Sequence, residues 1–285
     1  MRAELITTVA GIRQRLSSAR REGRAIGLVP TMGALHTGHG ALIERARRDG
    51  ASVVVSIFVN PIQFDRRDDY EAYAIDLERD AAFAGERGAE VVFAPPPAEM
   101  YPAPQAAFVE VAGLGDHLCG RFRPGHFRGV ATVVAKLFLI AGPDRAYFGE
   151  KDAQQLAIIR RMAADLNFPV EIVAVATVRE PDGLALSSRN RRLTAGERRA
   201  APALYQALRA AQERIAGNCT VAAEAVRAAL AVLERRPEFR VEYLEVVDAA
   251  TMAPVERIAG PVRVVAAAWL GETRLIDNVY CALPG

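Results

Sequence analysis

Residues 24–59 read RAIGLVPTMGALHTGHGALIERARRDGASVVVSIFV, and the change of texture along this stretch decides the fold. Residues 24–29 form a short apolar run closed by Pro30, and residues 51–59 form a longer run dense in Val and Ile, ended by Asn60-Pro61. Unbroken apolar runs of this kind read as strands buried on both faces, the pattern of a parallel sheet. Between them, residues 41–48 space apolar and charged positions as a helix does. That helix is expected to stop at Asp49-Gly50, where glycine tolerates the left-handed conformation of a C-terminal cap. The stretch is a strand, a loop, a helix and a second strand.

Outward from this unit the alternation continues. The spacing predicts a helix over 76–87, a strand over 90–94, a proline-rich loop over 95–104 and a strand over 108–111. A buried helix over 129–140, a strand over 145–148, a helix over 152–166 and a strand over 170–176 follow. Strands alternating with helices predict an α/β fold: a Rossmann-like, doubly wound parallel sheet with helices on both faces. After residue 177 the pattern changes to two Ala- and Arg-rich helical stretches, 195–216 and 220–235, and then strands over 240–247, 262–269 and 274–281. The expected organisation is a Rossmann-like domain over 1–176 and a smaller α+β domain over 177–285.

Composition narrows the class. At 285 residues, 51% hydrophobic and 25% charged, the chain has an ordinary globular balance and length enough for two domains, which excludes disordered and disulfide-scaffold proteins. Cys119, Cys219 and Cys281 are odd in number and lack CxxC spacing, so they read as core residues of a protein in a reducing compartment. No apolar stretch near the start has signal-peptide character, and the most apolar segment, 130–141, is interrupted by Lys136 and falls short of the roughly 20 residues of a membrane span. A soluble, cytoplasmic protein is expected. A net charge of +2 is too small for a nucleic-acid footprint, and leaves anionic small molecules as ligands. Only two lysines, Lys136 and Lys151, stand among the 36 basic residues, so each invites the question of what it does.

Four constellations carry possible chemistry. The loop from Thr31 to His39 lies where a doubly wound sheet binds ligands, at a strand's carboxyl end beside a helix N-terminus. It has neither the P-loop nor the GxGxxG pattern. His36 and His39, with Gly38 between them, read either as N–H donors to a phosphate chain, or as a helix cap, or as two metal ligands. Lys151, in Gly149-Glu150-Lys151-Asp152, reads as a phosphate-seeking ammonium or as part of a solvated first helical turn. Ser187-Ser188-Arg189 makes either a mobile phosphate clamp or an ordinary linker. Gln63, after Asn60-Pro61-Ile62, and Gln155 are neutral amides suited to a hydroxy-acid substrate, or else surface glutamines. Lys136, inside an apolar helix, reads as a snorkelling or paired residue.

Taken together, Met32-Gly33-Ala34-Leu35-His36-Thr37-Gly38-His39, Asn60-Pro61-Ile62-Gln63-Phe64, Arg123-Pro124-Gly125-His126-Phe127-Arg128, Gly149-Glu150-Lys151-Asp152 with Gln155, and Leu186-Ser187-Ser188-Arg189-Asn190 resemble the pantothenate synthetase (pantoate-β-alanine ligase) family of His-x-Gly-His nucleotidyltransferases. The resemblance runs through essentially the whole chain. It implies an ATP-dependent ligase that forms pantothenate for coenzyme A biosynthesis through a pantoyl adenylate, with Mg²⁺, usually as a homodimer. By the same resemblance Met32, Gly33, Ala34, Leu35, His36, Thr37, Gly38 and His39 would hold ATP, together with Gly149, Glu150, Lys151 and Asp152. Val178, Leu186, Ser187, Ser188 and Arg189 would complete the nucleotide site. Gln63 and Gln155 would bind pantoate, and Gln63 would also lie against β-alanine. His39 is the family's named proton donor, with His36 and Lys151 as further catalytic groups.

The charge that develops on diphosphate needs electrostatic stabilisation more than a proton, so hydrogen-bond donation is the physical reading of His39. Three positions depart from the family's usual wording: Gly40 for a larger apolar residue, Leu186 for methionine, and Tyr73-Ala74-Ile75 for Tyr-Pro-Arg. A nucleotidyltransferase with another acceptor, and a nucleotide-binding protein without turnover, remain the alternatives. Gln63 and Gln155 argue against the first, and Lys151 with both histidines against the second.

Overall fold

This computed structural model describes residues 2–282, apart from residues 66, 72, 74 and 75 and the side chains of Asp68 and Asp69. The chain divides into two compact units. The first comprises Met1–Asp116, Gly120–Glu150 and Ile158–Ala176, and the second His117–Cys119, Lys151–Ala157 and Thr177–Gly285. The division differs from one cut at 176 because two short segments join the later unit. Gln154 accepts from Cys119 N (3.1 Å) and donates to His117 O (2.8 Å), and His117 Nε2 bonds Met252 O at 2.7 Å.

The elements of the first unit run β1 (Glu4–Ile6), α1 (Val9–Arg21), β2 (Ile26–Thr31), α2 (Thr37–Arg48), β3 (Ser52–Ile57), α3 (Arg67–Glu71), α4 (Leu77–Glu86), β4 (Val91–Phe93) and α5 (Pro97–Met100). They continue with α6 (Cys119–Phe122), α7 (His126–Ala141), β5 (Arg145–Gly149), α8 (Ala153–Asp165) and β6 (Glu171–Val175). All six strands are parallel, in the order β1-β4-β3-β2-β5-β6. Every residue of β3 is buried, as an apolar run covered on both faces should be. Val29, Val53, Val55 and Ile57 pack with Leu42, Ile43 and Ala46 of α2 and Ala81 and Ala84 of α4.

The first strand and α1 carry no signal that the sequence pattern singled out; β1 is three residues long and α1 is capped by Thr8. The strand expected over 108–111 does not form, because Val109 N donates to Thr132 Oγ1 (3.0 Å) of α7 instead of to a ladder. Pro30 lies inside β2, where proline would normally break a ladder. Ala25 O and Thr31 O accept from the β3 side, so the intervening even positions face β5, and β5 pairs with β2 only at Gly27 and Leu28. The missing N–H of Pro30 therefore leaves the β2–β3 ladder intact.

The second unit holds α9 (Ala195–Ala200), α10 (Ala203–Ala216), α11 (Ala222–Leu233) and the antiparallel meander β7 (Phe239–Asp248), β8 (Val262–Leu270) and β9 (Thr273–Cys281). The helix expected over 195–216 is two helices, parted at Pro202, whose missing N–H and ring end the first. Ala207, Ala211, Ala225 and Ala229 let α10 and α11 approach closely over Val264, Ala266 and Ala268 of the sheet.

Candidate active site

Strand order reverses at β2, which has β3 on one side and β5 on the other, so the carboxyl end of β2 opens at the switch point of the sheet. The loop that leaves it is held tightly. Thr31 Oγ1 donates to Ser56 O (2.8 Å) and accepts from Gly33 N (3.2 Å). Gly33 and Ala34 both take positive φ, 85° and 51°, an unfavourable conformation for alanine. What holds Ala34 there is Asp80 of α4: its carboxylate, 1% exposed, accepts from Ala34 N (2.7 Å) and Leu35 N (2.8 Å). Burial pushes this carboxyl above the ordinary range, against the pull of the two N–H groups.

His36 is the N-cap of α2, which begins at Thr37, four residues earlier than the spacing suggested. Its Nδ1 accepts from Gly38 N (3.1 Å), and His39 Nδ1 accepts from His36 N (3.3 Å); the ring centroids are 4.1 Å apart. A nitrogen that accepts from a backbone N–H carries no proton, so each neutral ring keeps its proton on Nε2. The cap reading is thus borne out by the Nδ1 atoms, which leaves the donor reading to the Nε2 atoms. Among the described residues no three His, Cys, Asp or Glu side chains are grouped to hold a metal ion.

After β3 a tight 3-10 turn, Pro61–Gln63, carries Gln63 in a buried position. Asn60, 1% exposed, donates to Gln63 Oε1 (3.0 Å) and to Gly129 O of α7 (3.0 Å), and accepts from Tyr101 Oη (2.7 Å). Gln63 Nε2 meets Met32 Sδ at 3.0 Å, which ties this turn to the histidine loop. His126 Nδ1 donates to Gln63 O (2.8 Å), leaving Nε2 to accept from Arg123 Nη1 (3.2 Å), and Arg123 Nε pairs with Asp65 at 3.1 Å. Lys136 places its ammonium 5.1 Å from the Tyr101 ring centre, the paired role expected for it. Burial pushes the Tyr101 phenol well above its ordinary range, so it remains a donor.

The 3-10 turn Glu150–Asp152, whose Lys151 and Asp152 belong to the second unit, follows β5 and leads into α8. Lys151 O accepts from Asn278 Nδ2 (3.1 Å) of β9, and its ammonium is 4.0 Å from Asp152 Oδ1. Gln154, in the first turn of α8, is buried, while Gln155 beside it is half-buried. The segment from Val178 to Leu186 is a hairpin: Arg179 bridges Ala185, Glu180 N donates to Leu184 O (2.8 Å), and Leu186 N donates to Val178 O (3.0 Å). Ser187 caps the turn Ser188–Arg192, its Oγ accepting from Arg189 N at 3.2 Å. Arg179 forks onto Asp277 of β9 at 2.6 and 2.9 Å and stacks over Tyr205, 3.8 Å from its centroid.

The first unit thus bonds His36 to His39 and Gln63 to Met32 of the same loop, and the second gathers Lys151, Val178 and residues 186–189 around β9. Asp80, Tyr101, Arg179, Asp277 and Asn278 were not singled out from sequence, although a charge at position 80 on the buried stripe of α4 and an Asp-Asn pair inside a strand are both legible irregularities. Of the departures, Gly40 is explained: a Cβ there would meet Arg87 Nε at 2.6 Å, so the arginine stem occupies the space of a larger residue. Ala74 and Ile75 lie outside the described residues, while Tyr73 sits with its ring centroid 6.2 Å from that of Phe64. Nothing in the structure explains Leu186.

A doubly wound sheet with a histidine-capped helix at its switch point, and no P-loop, puts the chain among the α/β proteins that open a site beyond the carboxyl ends of their strands. Residues 4–280 match the family model of pantoate-beta-alanine ligase. The pantothenate synthetase of Moorella thermoacetica is 52% identical over 276 residues, covering 97% of this chain and 98% of the relative. The crystal structure of the Thermus thermophilus enzyme superposes with a TM-score of 0.92 at 51% identity, covering 97% of this chain and 98% of that one. The Francisella tularensis ligase, solved as a complex with beta-gamma ATP and β-alanine, gives 0.80 at 32% identity, with 97% of each chain covered. The chain belongs to the pantoate-β-alanine ligase family, and is a ligase that condenses pantoate with β-alanine to pantothenate.

Proposed function

We propose that the reaction runs through a pantoyl adenylate, with Mg²⁺-ATP as the activating substrate. A pantoate carboxylate oxygen attacks the α-phosphorus, the bond to the bridging oxygen breaks, and diphosphate leaves with the electron pair. The β-alanine amine then attacks the acyl carbon, the acyl-oxygen bond to AMP breaks, and the amine gives up its proton. The ATP complex of the Francisella tularensis relative supports the choice of nucleotide. Without a grouped donor set among the described residues, Mg²⁺ would arrive on the phosphates of ATP, as part of the substrate.

The observation that carries this reading is the pair of imidazoles whose Nδ1 atoms accept backbone N–H groups at the start of α2. Each Nε2–H is a preorganised donor for charge building on the phosphate chain. The same geometry favours a hydrogen-bonding role for His39. A neutral ring already accepting at Nδ1 can lose its Nε2 proton only by becoming an imidazolate, so His39 donates a hydrogen bond and transfers no proton. Met32 to His39 would bind ATP, joined by Gly149 to Asp152, Val178 and Leu186 to Arg189. Gln63 and Gln155 would bind pantoate, with Gln63 also against β-alanine. The three cysteines, all free and buried, support a reducing cytoplasm as the working compartment, and the family resemblance supports a homodimer, which light scattering would check.

Exchange of labelled diphosphate into ATP, with Mg²⁺ and pantoate present and β-alanine absent, tests the adenylate directly. Pantoate-dependent exchange is expected. Exchange that required β-alanine, or none in a folded, ATP-binding protein, would overturn the stepwise route.

A further inference from the structure

Strand β9 is apolar on its helix-facing side at Leu275, Val279 and Cys281, yet carries Asp277 among them and Asn278 next to it, both 5% exposed. Asp and Asn are depleted from strands, and a buried carboxylate costs several kcal/mol of desolvation unless well paired. A hydrophobic residue at 277 would serve stability as well or better, so stability is a weak reason for the pair.

Their bonds suggest a stronger one. Asp277 takes the whole guanidinium fork of Arg179, and Asn278 O accepts from Arg179 Nη2 at 3.3 Å. Arg179 opens the hairpin whose far arm becomes Ser187, Ser188 and Arg189. Asn278 Nδ2 meanwhile holds Lys151 O, while its Oδ1 is fixed by Arg263 Nη1 (2.7 Å), which sets the amide's orientation. The amide of Asn278 is tied in turn to its neighbour, since Asn278 N donates to Asp277 Oδ1 at 2.7 Å. Two adjacent residues of one strand therefore hold the main chain at Lys151 directly and the hairpin through the Arg179 side chain, whose Nη1 also donates to Gly183 O (3.0 Å), although these segments lie far apart in sequence.

We infer that Asp277 and Asn278 are positioning residues that hold Lys151 and the 187–189 turn in register with each other for the phosphate chain of the nucleotide. The inference rests on the nucleotide role proposed above for those groups. A flexible ammonium is useful to a phosphate only if its stem starts from a fixed point, and a misplacement of about 1 Å costs on the order of 100-fold in rate. Asp277 reaches the turn through Arg179, and Asn278 reaches Lys151 through its carbonyl; neither touches substrate in this arrangement.

The chain's only two lysines supply the test. Lys151 is the probe and Lys136, on the Tyr101 ring, the internal control. Limited acylation by an amine-selective reagent, read peptide by peptide with and without Mg²⁺-ATP, should show Lys151 protected by nucleotide and Lys136 unchanged in the wild type. Asn278→Ala and Asp277→Asn should lose most of that protection and slow pantoate-dependent diphosphate exchange at least about tenfold. The second half-reaction, started from synthetic pantoyl adenylate and β-alanine, should stay near the wild-type rate. Arg179→Lys, which keeps the charge but loses the fork, is the milder variant should either substitution fail to fold. A wild type whose Lys151 is unprotected sinks the nucleotide reading itself. Protection retained in folded variants, or both half-reactions slowed alike, sinks the positioning role alone.

Discussion

Gly129→Ala would add one methyl group at the place where α7 crosses the turn that carries Gln63. The new Cβ would lie 2.5 Å from Ile62 O, 2.6 Å from Gln63 Cα and 2.8 Å from Gln63 N. These distances fall about 1 Å short of ordinary carbon contacts, and all three atoms are backbone, which cannot rotate away. Asn60 bridges the two segments through Gly129 O and Gln63 Oε1, so they cannot part without losing buried hydrogen bonds. Overpacking of this kind costs about 1–3 kcal/mol, while replacing helical glycine by alanine returns up to about 1 kcal/mol. The net loss of stability is therefore modest, roughly 0–3 kcal/mol. The effect on function should be larger, because relief comes from shifting the Gln63 turn, and a displacement of about 1 Å is worth on the order of 100-fold. Urea unfolding, set beside diphosphate exchange over a range of pantoate and ATP concentrations, separates the two effects. The expected result is a raised KM for pantoate, a reduced exchange rate and a nearly unchanged KM for ATP. A variant more stable than wild type by about 1 kcal/mol, with unaltered pantoate KM, would refute the close approach.

Further outcomes follow from other contacts. His39→Ala or Lys151→Ala should slow single-turnover adenylate formation by at least about 100-fold, as expected for one lost preorganised donor; an unchanged rate counts against either role. Gln155→Ala should weaken pantoate in equilibrium titration and leave ATP binding nearly intact. Asp80 titrates above the ordinary carboxylate range when folded, so the folded chain takes up this proton before the unfolded one as pH falls. Stability of the wild type relative to Asp80→Asn should accordingly rise as pH drops from the raised folded value toward the ordinary one. The exchange rate should fall in the same window, because the neutral acid accepts more weakly from Ala34 N and Leu35 N, and this acid limb should vanish in Asp80→Asn. Gly40→Ala alone should change stability little, since it displaces Arg87, whereas in an Arg87→Ala background it should gain up to about 1 kcal/mol in urea unfolding.

Much of the sheet is legible because buried parallel strands announce themselves as apolar runs: β2, β3, β5 and β6 lie within a residue or two of where the pattern puts them. The short edge strand β1 escapes, since three residues with two exposed carry no periodicity. The segment 108–111 misleads for the converse reason, having strand-forming residues whose backbone finds a threonine instead of a neighbouring strand. In the candidate site, the residues with distinctive chemistry, His36, His39 and Lys151, are visible from type and spacing alone. What the sequence hides is the set of residues that hold them. Asp80 lies far along the chain from the loop whose amides it gathers, and Asp277 and Asn278 reach Arg179 and Lys151 only after the strand has paired. Local pattern reports which groups are reactive; it is silent about long-range polar bonds.

The proline in β2 has a consequence for how the binding face is made. Beyond Leu28 and Ala146, β2 continues with β3 to Thr31 while β5 continues with β6 to Gly149, so the ladder that joins the two halves of the sheet stops there. With no N–H at position 30, the halves cannot zip together by one more rung whatever side chains line them. The break in the ladder is thus a property of the main chain. No side chain has to hold the strands apart at this point, and in the function proposed above Gln63 would need only to select what binds beside it.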